Sequence, residues 1–118
     1  MAPRKLRLVA DLIRMLDPEE AVEILTHVEK RAAADLRKAI VTAVANAKDQ
    51  GVTDKLEFKE LSIGEGPRLK RGRAVSRGRW HPYQRKMSHV RIVLQTIKSL
   101  QSQKTQKRSQ KTQKKGGE

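Results

Sequence analysis

Residues 66–89, GPRLKRGRAVSRGRWHPYQRKMSH, concentrate positive charge in a stretch that has no acidic residue. Arginine presents planar, forked donors that suit phosphate, and cations spread along an extended backbone contact a path instead of one pocket. Flat side chains between them can stack on unpaired bases or pack on sugars. The stretch therefore predicts nucleic-acid contacts at Arg68, Lys70, Arg71, Arg73, Arg77, Arg79, Trp80, His81, Arg85 and Lys86. For Trp80, the alternative is a hydrophobic cap on the folded domain.

The charge of the chain is divided unevenly along its length. Residues 1–65 contain 11 Lys and Arg against 12 Asp and Glu, a net charge of −1, whereas residues 66–118 contain 16 against one, a net charge of +15. The second part would repel itself without a polyanion nearby. Nucleic acid is the expected partner.

The residue inventory argues against an enzyme. The 118 residues include no cysteine, the three histidines are scattered, and no glycine-rich phosphate loop opens a helix. Metal-dependent nucleases need carboxylates at the scissile phosphate, and the basic stretch has none. We therefore expect no catalytic residue, no metal and no cofactor. No apolar run reaches the length of a membrane span and MAPRKLRL lacks a signal peptide's apolar core, so we expect a cytoplasmic protein without membrane contact.

Apolar spacing predicts three helices, over about residues 3–15, 18–28 and 30–49. The second begins with Asp17 as N-cap, Pro18 in the first turn and Glu20 three residues after the cap, which is a capping-box arrangement. In the first helix, Arg4, Lys5 and Arg7 lie where the helix dipole disfavours cations, so an external anion would relieve the conflict. The alternative for these three residues is a solvated charged face.

Two alternating runs predict an antiparallel pair of strands. The first begins near residue 54, and its apolar residues change parity between Phe58 and Leu61, which indicates a bulge near Lys59 or Glu60. The second run is SHVRIVLQTIKSL. The chain between them forms a hairpin extending roughly 60–70 Å, in which Pro67 and Pro82 limit regular ladder pairing.

These elements predict an α+β fold: a three-helix body with a small antiparallel sheet and a long, protruding basic β-hairpin. Residues 1–65 form the globular body, with the first hairpin strand over about 54–65; residues 66–89 form the extended basic arm, and residues 90–100 return to the body. Residues 101–118 repeat SQKTQK without apolar residues and are expected to be a disordered basic tail.

The shape of the arm favours RNA over DNA. A specific DNA reader usually offers a short recognition helix to the major groove, commonly in a symmetric dimer. A long irregular arm suits folded RNA, whose loops and bulges vary along its path. The leading hypothesis is a structural RNA-binding protein that does not form homo-oligomers, and the alternative is a free regulatory or chromatin-type protein that binds DNA or messenger RNA.

The chain resembles the bacterial-type ribosomal protein L-twenty-two family over about residues 3–97. The resemblance is carried, in the family's order and spacing, by PRKLRLVADLIR at 3–14, AVANA at 43–47, EGPRLKR at 65–71, RGR at 77–79 and RKMSHVRIVL at 85–94. It implies a constituent of the large ribosomal subunit in the cytoplasm, with partners among ribosomal RNA, neighbouring ribosomal proteins and the nascent peptide. It also implies that the hairpin lines the peptide exit tunnel and that the protein has a role in subunit assembly.

By match to these motifs, the resemblance implies RNA contacts of the first helix at Arg4, Lys5 and Arg7, and we add Arg14 from the same motif. It implies hairpin contacts at Arg68, Lys70, Arg71, Arg77, Arg79, Arg85, Lys86, Ser88 and His89. The chain departs from the family where a short strand usually precedes the first helix, which predicts a sheet that lacks a strand or has an open edge. It also departs at WHPY, residues 80–83, where the usual run is more polar and proline-free.

Overall fold

The computed structural model describes residues 1–97 and has an α+β architecture, as predicted. Helix α1 spans Pro3–Ile13, α2 spans Pro18–His27 and α3 spans Arg31–Asp49. Strand β1, Leu56–Ala74, pairs antiparallel with β2, Trp80–Thr96, in a two-stranded sheet. Residues 98–100 of the predicted return strand and the predicted tail, 101–118, lie outside the described residues. None of the helices in residues 1–97 is both long and apolar enough to cross a bilayer.

Helix α3 is the centre of the body, because α1, α2 and the sheet all pack against it. Its side chains Leu36 and Ile40 are fully buried, and small Ala32 and Ala33 allow close approach of the other helices. Helix α1 contributes Leu6, Val9, Ala10 and Ile13 at helical spacing. Leu61 and Ile63 of β1 close the cluster, so the buried hydrophobic residues run from Leu6 to Ile63 in the sequence.

The predicted capping box at α2 is not formed. Asp17 is the N-cap residue, but its side chain makes no capping hydrogen bond. Its carboxylate instead lies 2.6 Å from the Lys55 ammonium, just before β1. The hydrogen bond and charge of Asp17 raise the pKa of Lys55 above its usual 10.5, so this pair stabilises the fold below that pH and the stabilisation is lost as pH rises through the raised pKa. The interaction of Asp17 with Lys55, which is distant in the sequence, therefore replaces the local hydrogen bond that would cap α2.

Two register shifts divide the hairpin into three segments of regular pairing. One lies between Phe58 and Glu60, which confirms the bulge predicted from the change of parity. The other lies between Glu65 and Arg68, where Gly66 and Pro67 interrupt the ladder as expected. The same expectation was wrong for Pro82, which lies within the ladder opposite Gly72. Pairing then continues to Ala74 and Trp80.

The hairpin extends far beyond the helices. The described residues measure 81 × 37 × 24 Å, with a radius of gyration of 21.2 Å. A compact chain of this length has a radius of gyration of about 13 Å. The nineteen residues of β1 account for the difference, because at about 3.3 Å per residue they span roughly 60 Å. The predicted long projection is confirmed, and we call residues 66–89 the arm.

Replacing Gly66 by alanine is expected to destabilise the base of the arm. A Cβ atom at this position would lie 2.9 Å from the Met87 carbonyl carbon and 3.0 Å from the Ser88 nitrogen. Both are backbone atoms, so the strands must separate, and we expect the free energy of unfolding to fall by about 1–3 kcal/mol in urea titrations. Gly64→Ala, with nothing within 4 Å of the added carbon, is the matched control. Equal losses for the two variants would contradict the close-approach explanation.

Candidate nucleic-acid interface

The register of the arm sorts its side chains onto two faces. Residues directly opposite each other share a face, and successive residues alternate. One face, the arginine face, carries Leu69, Arg71, Arg73, His81, Tyr83 and Arg85. The other, the tryptophan face, carries Arg68, Lys70, Gly72, Ala74, Trp80, Pro82, Gln84 and Lys86. The arm therefore offers two different chemical surfaces along one ribbon.

The arginine face combines cations with an aromatic ring. The Arg73 guanidinium carbon lies 5.7 Å from the centre of the Tyr83 ring, within cation–π range. The Arg71 guanidinium donates to the carbonyl oxygen of Lys70 at 2.8 Å, which leaves most of its donors free to bind a partner. A guanidinium held in this way can donate to phosphate oxygens along its edge, and guanidinium and phenol groups can stack face-on against bases.

The tryptophan face holds Trp80 against the arm itself. Its indole lies over Gly72, the diagonal neighbour on the other strand, where no side chain intervenes. The residue is still 70% exposed. It lies next to the tip and not against the helices, so the hydrophobic-cap alternative is wrong, and the exposed ring face is available for stacking.

Replacing Gly72 by valine is expected to displace the indole. A Cβ atom at Gly72 would overlap the Trp80 ring. Because Trp80 is the single tryptophan, its emission should shift to longer wavelength and its quenching by acrylamide should increase. The free energy of unfolding should change by less than about 0.5 kcal/mol, since the site is on the surface. Leu69→Val, on the arginine face, is the control, and an unchanged Gly72→Val spectrum would contradict the packing.

The tip of the arm places an arginine in a conformation that costs energy. Arg77 has a φ of 59° within the short turn Ser76–Gly78, and the amide of Val75 closes the turn by donating to Arg79 at 2.8 Å. The left-handed region costs a non-glycine residue on the order of 1 kcal/mol. The turn therefore holds a cation at the far end of the arm in a strained backbone conformation.

The arm has almost no internal counter-charge. Arg68 lies 3.1 Å from the Glu65 carboxylate, in an exposed pair. The other cations of the arm have no carboxylate within 4.0 Å among residues 1–97. These seven are Lys70, Arg71, Arg73, Arg77, Arg79, Arg85 and Lys86. No carboxylate in the described part of the chain therefore neutralises their charge.

Helix α1 brings part of its predicted basic cluster to the base of the arm. Arg4 and Lys5 line a groove of about 230 Å³ with Arg68 and Lys86. Arg7 also lines it, but its guanidinium donates twice to the carbonyl oxygen of Ile63, at 3.1 and 3.3 Å. Arg7 therefore links α1 to β1 through these hydrogen bonds, and its remaining donors are available to bind a partner.

Three further predicted residues have different environments. Arg14 lies at the opposite end of α1, roughly 15 Å from Arg4 by helical rise, and pairs with Asp11 at 3.2 Å. The structure therefore does not bring Arg14 together with the other cations. The Ser88 hydroxyl donates to the carbonyl oxygen of Met1 at 2.9 Å, so its observed contact is within the protein. His89 is exposed opposite Gly64, at the base of the arm.

Two cations that the sequence did not single out join this basic surface. Lys30 and Arg31, at the start of α3, line one cleft with Lys5, Arg85 and Lys86. The sequence did contain a signal for these two residues, because they are cations at the N-terminal end of a helix, as Arg4 and Lys5 are. Their proximity to the arm depends on the packing of α3 against α1 and β2, which sequence spacing does not reveal.

Comparison with known proteins identifies the family of this chain. The family model described as Ribosomal protein L22p/L17e matches residues 1–95. The chain belongs to this family. A curated relative, the large ribosomal subunit protein uL22 of Bdellovibrio bacteriovorus, is 43% identical over 94 residues, which cover 78% of this chain and 86% of the relative. Membership in the L22p/L17e family confirms the resemblance noted in the sequence and identifies a ribosomal protein.

Proposed function

We propose that this ribosomal protein binds and organises ribosomal RNA of the large subunit, with the arm inserted between RNA segments. The observation that carries the proposal is the set of seven arm cations without a carboxylate partner in residues 1–97. They lie along the outer end of the hairpin, over roughly 30 Å from Lys86 to the tip, which is long enough to contact more than one RNA segment. RNA phosphates would supply the missing counter-charge along the whole path.

The two faces of the arm suit a position in the wall of the nascent-peptide exit tunnel. A ribbon in such a wall needs contacts to RNA along most of its length and a free tip. The exposed Trp80 and the strained Arg77 lie at that tip. We also propose a role in subunit assembly, because a cationic ribbon that binds several RNA segments would hold them together during folding. The other proposed partners are the nascent peptide and neighbouring ribosomal proteins.

The alternative, a free protein that binds DNA or messenger RNA, is less well supported. A two-stranded ribbon can enter the DNA major groove, but DNA readers of this type use short elements, commonly in symmetric dimers. Here the ribbon is roughly 60 Å long. The uL22 relative is named as a large-subunit protein, which favours the ribosome.

Sucrose-gradient fractionation of a lysate from the source cells tests this proposal. A tagged full-length chain should co-sediment with large ribosomal subunits and stay there when the ionic strength is raised after assembly. A tagged copy of an unrelated basic protein serves as the control for adventitious adsorption. Recovery mainly in a salt-labile pool on DNA or messenger RNA would favour the alternative function.

A further inference from the structure

A cleft lies at the base of the arm, where Arg85 of the arginine face and Lys86 of the tryptophan face meet the beginnings of two helices. It has a volume of about 700 Å³ and lies between the beginnings of α1 and α3 and the middle of β2. Its size falls in the range of about 300–1,000 Å³ that is usual for sites of small molecules. Cations from all three elements line it: Lys5, Lys30, Arg31, Arg85 and Lys86.

The same cleft has an apolar wall. Leu8 and Met87 line it, and Leu8 is 61% exposed although its neighbours on the core side of α1 are buried. A regular RNA duplex presents phosphates to such a cleft and keeps its bases stacked inside, so the apolar wall would stay unused. An unpaired nucleotide turned out of the helix presents a phosphate and a flat base together. The mixed lining matches that combination.

A single carboxylate adds an acceptor to this surface. Asp35 lines the cleft beside the cations, yet it lies within 4.0 Å of none of them in the described residues. A carboxylate repels phosphate, but it accepts hydrogen bonds from base N–H groups. Guanine carries adjacent N–H donors on its Watson–Crick edge and can offer two to one carboxylate, whereas uracil offers one.

We infer that this cleft binds one unpaired nucleotide extruded from RNA. The cations hold its phosphate, Leu8 and Met87 pack against the base, and Asp35 accepts from the base edge, which favours guanine over uracil. The inference rests on the proposed function as an RNA-binding protein, and it adds a specific nucleotide site that the helices and the base of the arm form together.

Fluorescence anisotropy with the full-length chain tests the inference. The probes are RNA duplexes of identical sequence with no bulge or with one bulged guanine, adenine, cytosine or uracil, at physiological ionic strength. We expect the bulged-guanine duplex to bind about tenfold more tightly than the unbulged duplex. Equal affinity for bulged and unbulged duplexes would overturn the inference and leave RNA binding intact. Failure to bind any duplex would instead count against the proposed function.

Matched variants separate the cleft from the rest of the surface. Leu8→Asn should abolish the preference for the bulge, whereas Leu12→Asn should retain it, because Leu12 is 59% exposed one turn along α1 and does not line the cleft. Asp35→Asn should remove the preference for guanine over uracil without weakening binding to the unbulged duplex. Circular dichroism verifies that each variant is folded. Retention of the preferences in Leu8→Asn and Asp35→Asn would place the nucleotide elsewhere and overturn the inference.

Discussion

Replacing residues 70–84 with Asn-Gly is expected to leave the body folded while removing most of the affinity for RNA. Leu69 and Arg85 lie directly opposite each other, so a two-residue turn can close the shortened hairpin. The buried hydrophobic cluster, from Leu6 to Ile63, is untouched. The free energy of unfolding in urea should therefore change by no more than about 1 kcal/mol.

The loss of RNA affinity in this variant follows from the cations that it removes. These are Lys70, Arg71, Arg73, Arg77 and Arg79. If each neutralises one phosphate, the slope of log affinity against log salt concentration should become shallower by about four. A full-length control with these five residues changed to glutamine keeps the arm and removes only the charge. Unfolding of the shortened variant would show that the arm is part of the hydrophobic core. Full RNA affinity in the glutamine control would show that RNA binding does not depend on the charge of these five residues.

The fold could be predicted from local patterns because each element carries its own signal. The helix of residues 31–49 follows from strong helix formers around Leu36 and Ile40, and the first bulge follows from the change of parity between Phe58 and Leu61. These signals depend on neighbouring residues alone. The lengths of the helices were accordingly predicted to within about two residues at each end.

Interactions between distant residues could not be predicted in the same way. Asp17 is a good N-cap by type, but Lys55, 38 positions later in the chain, takes its carboxylate. Arg7 belongs by sequence to a basic cluster, yet two of its donors bind the Ile63 carbonyl oxygen. In both cases a partner brought close by folding decides what the side chain does.

The faces of the arm required the register of the hairpin. Each bulge shifts the pairing by one residue, and a shift of one residue moves side chains to the opposite face. Composition alone therefore predicts that the arm is basic but does not separate Arg73 and Tyr83 from Trp80 and Gly72. The cleft with Lys30 and Arg31 was missed for a related reason, since three elements must meet to form it.

The response of RNA binding to salt tests the central claim most directly, namely that the cations of the arm are neutralised by RNA phosphates. The full-length chain and a ribosomal RNA fragment would be titrated at several salt concentrations by fluorescence anisotropy. If six or more of the seven unpaired arm cations contact phosphates, affinity should fall by about a thousandfold or more between roughly 50 and 200 mM salt. A nearly flat response over that range would contradict the claim.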